Sequence, residues 1–335
     1  MSKLSTRFTA AISNLKSRDE RKRRRAIREL FEMDDPQHLK AFIPLLNDKD
    51  SWYRSKAIDA FRIWAPRESV TSLEPLIAHK NIDYNRVAAN LLEKFSPTGT
   101  DVIKELFEKD DMICKAKAAQ FILRNDNEKE FYCSLLEGEN TKLKIIALES
   151  KYSSNDTLTS CLSDDSLKIV EYCLTALSDV ELQIDDDTVE QLTKRGVKFG
   201  LLMPHLIRSN PEKLAESVQE LQNHEIKTLV DLLNRECDNV EDEPINTLIQ
   251  CKQYVVVGRW LQGKRGDAFD TLRWEIIADD SIDEIERSRF IERLFARCDE
   301  EKIRLEAEKI ANNSTSELIK LTAHNLSTAK DRDEQ

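Results

Sequence analysis

One pattern returns along the first half of this chain at nearly constant spacing, and a chain that repeats in this way has few ways to fold. The clearest copy occupies residues 47–64, NDKDSWYRSKAIDAFRIW. An acid, Asp50, stands four residues before a basic residue, Arg54; apolar Trp52 and Tyr53 lie between them, and small Ala57 follows three residues on. The basic position recurs as Arg23, Arg54, Arg86, Lys115, Lys144 and Lys168, at spacings of 31, 32, 29, 29 and 24 residues. The small position recurs as Ala26, Ala57, Ala89, Ala118 and Ala147 and fails at Glu171. A period near thirty residues is that of a helix pair which buries its apolar face only against its neighbours. In this reading Asp19, Asp50, Asp83, Asp111 and Asp164 cap the second helix of each pair, where a carboxylate meets free backbone N–H groups and the positive end of the helix dipole. The basic ladder Arg23, Arg54, Arg86, Lys115 and Lys144 begins those helices, within reach of an acid of its own or the preceding repeat.

This pattern resembles the HEAT repeat of the ARM/HEAT superfamily, in particular the short repeats called phycobilisome-lyase HEAT-like. The likeness covers roughly the first 180 residues, beyond which only a helix-turn-helix rhythm persists. It implies an all-α fold, a right-handed α-solenoid of HEAT-like antiparallel helix pairs. Composition agrees, because 7 Gly and 8 Pro in 335 residues leave little material for β-turns or phosphate-cradling loops. No run of eighteen apolar residues suggests a membrane span, and the opening MSKLSTRFTAAISNLKSRDER lacks the apolar core of a secretory signal. A soluble, cytoplasmic protein with no membrane contact is the expectation. The seven Cys, at 114, 133, 161, 173, 237, 251 and 298, contain no CxxC pair and read as reduced, mostly buried small hydrophobes.

The periodicity predicts an opening helix at 4–16 and a second from a Ser17-x-x-Glu20 capping box to about 32. Pairs follow at 36–46 with 51–64, 69–79 with 82–94, 98–108 with 111–123, 128–137 with 140–152 and 155–162 with 165–178. Residues 1–180 thus hold about six HEAT-like pairs, and 181–329 hold degenerate repeats that continue the solenoid after the acidic run 185–187. There the pattern gives 187–208, broken at Gly196 or Pro204, then 211–222, 225–235, 244–262, 267–278, 281–297, 300–312 and 315–329. The β-prone Tyr254-Val255-Val256-Val257 is embedded in helical sequence and reads as helix. Residues 330–335, KDRDEQ, carry nothing to bury and read as a disordered tail.

Candidate chemistry is sparse. His38, His79, His205, His224 and His324 stand apart, without HxxxH or HExxH spacing. The repeated His-Glu pairs that hold a di-iron centre in the HEAT-like deoxyhypusine hydroxylases are reduced here to His224-Glu225, which reads as a helix start. Gly263-Lys264-Arg265-Gly266 lacks the four-residue gap and following Ser or Thr of a P-loop and reads as a basic turn flanked by core residues Trp260 and Trp274. No catalytic residue, metal or cofactor is expected. A DNA-glycosylase-like role would need aromatic and acidic groups on a basic face. Tyr53, Ala57, Ala60, Phe61 and Trp64 fall on one stripe that reads as buried, leaving Trp52, Lys56 and Asp59 on a more exposed face.

The strongest surface signal is Arg18, Arg21, Lys22, Arg23, Arg24, Arg25 and Arg28. Residues 1–67 carry 16 Lys and Arg against 9 Asp and Glu, whereas the remainder carries 35 against 53, so a basic end adjoins an acidic body. The reading is a non-catalytic scaffold or adaptor. Its partner is a macromolecule, a protein by preference, bound through Arg18, Arg21, Lys22, Arg24, Arg25, Arg28, Trp52 and Lys56. Nucleic acid held through residues 18–28 is the first alternative and a HEAT-like lyase the second; a merely solvated end-cap or, in a eukaryote, a nuclear import signal would use the same basic run.

Overall fold

The computed structural model describes residues 3–180, 182 and 184–329; the expected tail at 330–335 lies outside them. Every regular element among the described residues is helical, and the architecture is that of an all-α solenoid of helix pairs. Two compact units divide between Ile169 and Val170.

In the first unit the second helices are the regular ones: Glu20–Met33, Ser51–Trp64, Ile82–Leu91, Met112–Ile122 and Thr141–Leu148. Two of the first helices are broken into short α and 3-10 turns, across residues 36–47 and 70–77, because Pro44 and Pro75 interrupt the hydrogen-bond ladder expected to be continuous there. Asp19, Asp50 and Asp111 cap as expected, accepting from the N–H groups of Arg21 at 2.9 Å, Trp52 at 2.8 Å and Cys114 at 3.0 Å. Three caps differ from expectation, among them Asp164, which accepts from the Ser166 N–H at 2.8 Å, ahead of the helix Leu167–Ala176 rather than inside its first turn. Asn81 takes the place assigned to Asp83, which sits inside the first turn, and Ser17 accepts from Asp19 N–H rather than opening the helix itself.

The alanine register holds throughout. Ala26, Ala57, Ala89, Ala118 and Ala147 are all buried, and so is the whole stripe of Tyr53, Ala57, Ala60, Phe61 and Trp64. Trp64 is the centre of an aromatic cluster with Phe31 and Phe42, at ring-centroid distances of 5.0 and 5.4 Å. Its indole N–H donates to Asp34 Oδ1 at 2.9 Å, and Arg67 pairs with the same carboxylate at 3.0 Å. In this unit the buried polar residues include His38 and Asn85, and the Asn85 amide donates to the carbonyls of Leu76 and Ile77 at 2.7 and 2.8 Å, satisfying the end of the preceding short helix.

A second set of links was not legible in the sequence. Arg67 donates to the Asp34 carbonyl, Arg124 to the Leu92 carbonyl, and Lys151 to the Arg124 carbonyl, so a cation near the end of one second helix meets carbonyl groups near the end of the previous one. That is the negative end of the helix dipole, where a positive charge is favoured. In the second unit Arg208 repeats the arrangement on the Ser178 carbonyl.

The second unit breaks its helices where backbone geometry demands. Gly196 (φ 92) ends the Asp186–Lys194 helix, while Pro204 lies inside the helix Phe199–Ser209. The helix expected over 244–262 is two, Glu243–Gln250 and Tyr254–Trp260, because Lys252 adopts a left-handed φ of 56 and the Gln253 N–H closes back on the Leu248 carbonyl at 2.8 Å. The β-prone segment at Tyr254 is helical, as expected. Trp260 is core, but Trp274 is only half-buried.

Ala89 and Ala118 are 0% exposed, so Ala89→Leu or Ala118→Leu forces three additional carbons into a filled contact. Each is expected to cost about 1 to 3 kcal/mol in urea unfolding. Wild-type stability in both variants would contradict the repeat register.

Candidate functional site

The basic run lies on and just before the Glu20–Met33 helix, and the fold sorts its members into tied and open cations. Arg23 is tied three ways. It pairs with Asp48, its Nε donates to the Leu15 carbonyl at 3.2 Å, and its guanidinium lies over the Tyr53 ring 3.9 Å from the centroid. Arg24 pairs with Glu20 and covers Trp52 at 5.1 Å, and Arg25 pairs with Glu29 at 2.9 Å. Arg18, Arg21, Lys22 and Arg28 are exposed and make no ion pair among the described residues.

Arg21, Arg24 and Arg28 share a helix face by their spacing of three and four residues. Through Arg24 this face continues onto Trp52, which is half-buried, and along the next helix to Lys56 and Asp59. Lys56 is partly neutralised there, since Asp59 accepts from it at 2.8 Å and lies 3.7 Å from Arg62. Of the expected partner-binding residues, Arg21, Arg24 and Arg28 are thus brought onto one face with Trp52 and Lys56, whereas Lys22 and Arg25 follow Arg21 and Arg24 by one residue and turn off it; the open charge lies at Arg18, Arg21, Lys22 and Arg28.

The ladder residues serve another purpose. Arg23 reaches Asp48, Arg86 reaches Asp111 at 2.7 Å and Lys144 reaches Asp164 at 2.9 Å. In each case the acid belongs to the following repeat rather than the preceding one, and Arg86 also lies 3.7 Å from Asp83 of its own repeat, as expected. Arg54 differs because the position equivalent to Asp48 is His79. The Nδ1 of His79 accepts from Asn81 N–H at 3.0 Å, just as Asp48 Oδ1 accepts from Asp50 N–H at 3.0 Å, but it offers no carboxylate. Arg54 turns back to the Asp48 and Lys49 carbonyls at 2.8 and 2.9 Å. Lys115 makes no ion pair among the described residues.

Residues 8–93 match the family model for HEAT repeats. That span holds the first three helix pairs, the cationic face and the Arg23, Arg54 and Arg86 ladder positions. No curated protein matches the chain. Within that span, burial pushes the Asp48 carboxyl up, but the Asp50 N–H and the Arg23 guanidinium more than offset it, and the net shift is down. Arg86 has a larger effect beyond them: its hydrogen bonds, with that of the Cys114 N–H, hold Asp111 down at about 2. Burial and the neighbouring Asp111 push the Cys114 thiol up to about 12, leaving it unreactive.

The remaining candidates stay apart. Among the described residues no three His, Cys, Asp or Glu converge as metal ligands, and no helix is long and apolar enough to cross a membrane. His224 lies in the first turn of the Asn223–Glu236 helix and Glu225 bonds back to Gln222 N–H at 2.9 Å, a cap as expected. Cys133 and Cys251 are exposed, departing from the expected burial. Sequence reasoning missed a groove of about 1270 Å³ beside the first helices of the first three pairs, where His38 stacks on Phe8 at 4.5 Å.

Asp111→Ala removes both a cap and a cation partner and is expected to cost about 1 to 2 kcal/mol at pH 7, whereas Asp111→Asn keeps the cap and costs less. The folded carboxyl titrates near 2, below the about 3.9 of an unfolded chain. The stability it contributes is therefore complete above about pH 4 and lost as pH falls towards 2. The stability gap between wild type and Asp111→Asn should close over that window in urea unfolding; a gap independent of pH would contradict the pairing.

Proposed function

We propose that the first unit is a non-catalytic docking module that binds an acidic protein surface through Arg18, Arg21, Lys22 and Arg28 and the adjoining Trp52 stripe. The observation that carries this reading is the sorting of cations: Arg23, Arg86 and Lys144 are tied to acids of neighbouring repeats, while these four point charge at solvent without an ion pair among the described residues. Charges with a structural partner add little to a binding face; unpaired ones supply long-range attraction. Arg24 over Trp52 adds a flat, half-buried aromatic beside the charge, the composition favoured at the centre of protein interfaces.

The direction of the charge argues for protein over nucleic acid. A net charge of −11 for the whole chain repels an extended polyanion, and only a partner that reaches the first repeats gains the attraction. A compact acidic patch on a folded protein meets that condition.

Affinity capture from native cells, with and without nuclease, tests the reading when paired with the variant Arg18→Glu/Arg21→Glu/Arg28→Glu. These side chains are exposed, so each substitution is expected to change stability by less than about 0.5 kcal/mol. A nuclease-resistant partner that, once purified, associates about ten-fold or more slowly at low salt with the variant is the expected result. Equal binding by wild type and variant would reduce the basic helix to a solvated end-cap. A partner lost on nuclease treatment would select nucleic acid, with the logarithm of affinity falling linearly against the logarithm of salt. Arg23→Glu is expected to differ in kind, destabilising the fold by about 1 to 3 kcal/mol because it leaves Asp48 facing a like charge.

A further inference from the structure

The second unit contains a cavity of about 320 Å³ whose lining includes five cationic side chains, Lys264, Arg265, Arg273, Arg293 and Arg297, and no acid. Such a concentration is expensive unless something negative balances it. Asp270 and Glu300 stand behind the lining and balance only part. Asp270 accepts from Arg273 at 2.6 Å and from both terminal nitrogens of Arg297 at 2.7 and 2.8 Å, and Glu300 accepts from Arg297 at 2.7 and 2.6 Å. Arg273 and Arg297 are therefore neutralised by their own partners. Lys264, Arg265 and Arg293 make no ion pair among the described residues.

The backbone around them is built for the purpose of holding charge in place. Buried Arg273 donates to the carbonyls of Leu261 and Lys264 at 2.5 and 2.7 Å, pinning the turn that presents Lys264 and Arg265. Gly263 (φ 84) and Gly266 (φ 129) adopt left-handed conformations on either side of the two basic residues. Lys264 is steadied by the face of Trp260, 4.4 Å from the ring centroid. Across the cavity, Arg293 packs so closely on Gly258 that a Cβ there would fall 2.1 Å from its Nη1 and 2.9 Å from the Phe290 ring. Glycine is unfavourable inside a helix, and here it makes room for the Arg293 guanidinium, which also lies over the Phe290 ring 5.5 Å from its centroid. Burial holds the Arg293 pKa below its ordinary value; Glu286 and Glu292 oppose that shift, but Glu286 is itself paired with Arg289.

We propose that this pocket binds a phosphomonoester, with Lys264, Arg265 and Arg293 as its cationic ligands. Three cations that make no ion pair among the described residues suit a dianion better than a single carboxylate, and guanidinium groups match the spacing of phosphate oxygens. The cavity exceeds the size of a bare phosphate ion and accommodates the first atoms of the organic group attached to it. The Gly-Lys-Arg-Gly turn, which lacks P-loop spacing, becomes here one wall of an anion pocket made by side chains.

Isothermal titration of the full chain tests the assignment, with inorganic phosphate and O-phosphoserine as probes at ionic strength fixed with chloride. O-phosphoserine is expected to bind more tightly than inorganic phosphate. Arg265→Gln and Arg293→Gln are each expected to weaken it about ten-fold or more, the loss of one charge-assisted contact, while Lys194→Gln, exposed and paired with Glu190 on the Asp186–Lys194 helix, leaves it unchanged. Arg265 is exposed, so its variant carries the test even if Arg293→Gln folds poorly. Absence of binding by either probe up to about 10 mM would overturn the pocket, as would undiminished binding by Arg265→Gln. Tighter binding of inorganic phosphate than of O-phosphoserine would overturn the phosphomonoester assignment.

Discussion

In a chain built from repeats, each helix pair must find its neighbour in one register, and at Arg23, Arg86 and Lys144 that register is set by a cation at the start of one second helix meeting the acid before the next. Arg23 with Asp48, Arg86 with Asp111 and Lys144 with Asp164 are three copies of this contact. Pairs of this exposure contribute about 1 kcal/mol or less each, whereas burying a side chain such as Phe61 contributes about 2 to 3 kcal/mol. The apolar stripes therefore supply the free energy, and the ion pairs decide which neighbouring register is chosen. A shift of one helical turn would leave a partly buried Asp48 or Asp111 without its cation, at a cost larger than the pair's own contribution.

That division of labour also determines what surface remains for a partner. A basic residue used to set register is oriented, desolvated on one side and neutralised by its acid. The first helix pair contains more cations than its register requires. The surplus, Arg18, Arg21, Lys22 and Arg28, lies outside the inter-repeat contacts. In the second unit the same accounting isolates Lys264, Arg265 and Arg293, after Asp270 and Glu300 have satisfied Arg273 and Arg297. In both places function is inferred from cations left over once the fold's own demands are met.

The parts legible in the sequence were those that repeat. The alanine at every period and the stripe from Tyr53 to Trp64 follow helical spacing, and both are buried as expected. Legibility ended where one residue did another's work. Gly196 and Lys252 end helices in the same left-handed geometry, but only glycine announces it in a sequence. His79 stands where the pattern asks for an acid, and its ring nitrogen preserves the turn while depriving Arg54 of a carboxylate. The second unit's pocket draws Gly258 from one helix, Lys264 and Arg265 from the turn after it, and Arg293 from the helix Glu284–Leu294 beyond the intervening Asp267–Ala278. Only the Gly-Lys-Arg-Gly turn was visible as a motif, because the packing of Arg293 against Gly258 has no short-range signature.

The central claim, that the fold separates tied from open arginines, can be read at the Nε–H groups themselves by measuring their hydrogen exchange in nitrogen-15 NMR spectra of the arginine side chains. Arg23 donates its Nε–H to the Leu15 carbonyl at 3.2 Å and Arg86 donates its own to Asp111 at 3.1 Å, so both are predicted to exchange more slowly than those of Arg18, Arg21 and Arg28. Exchange at Arg23 and Arg86 as fast as at the three exposed arginines would contradict the account.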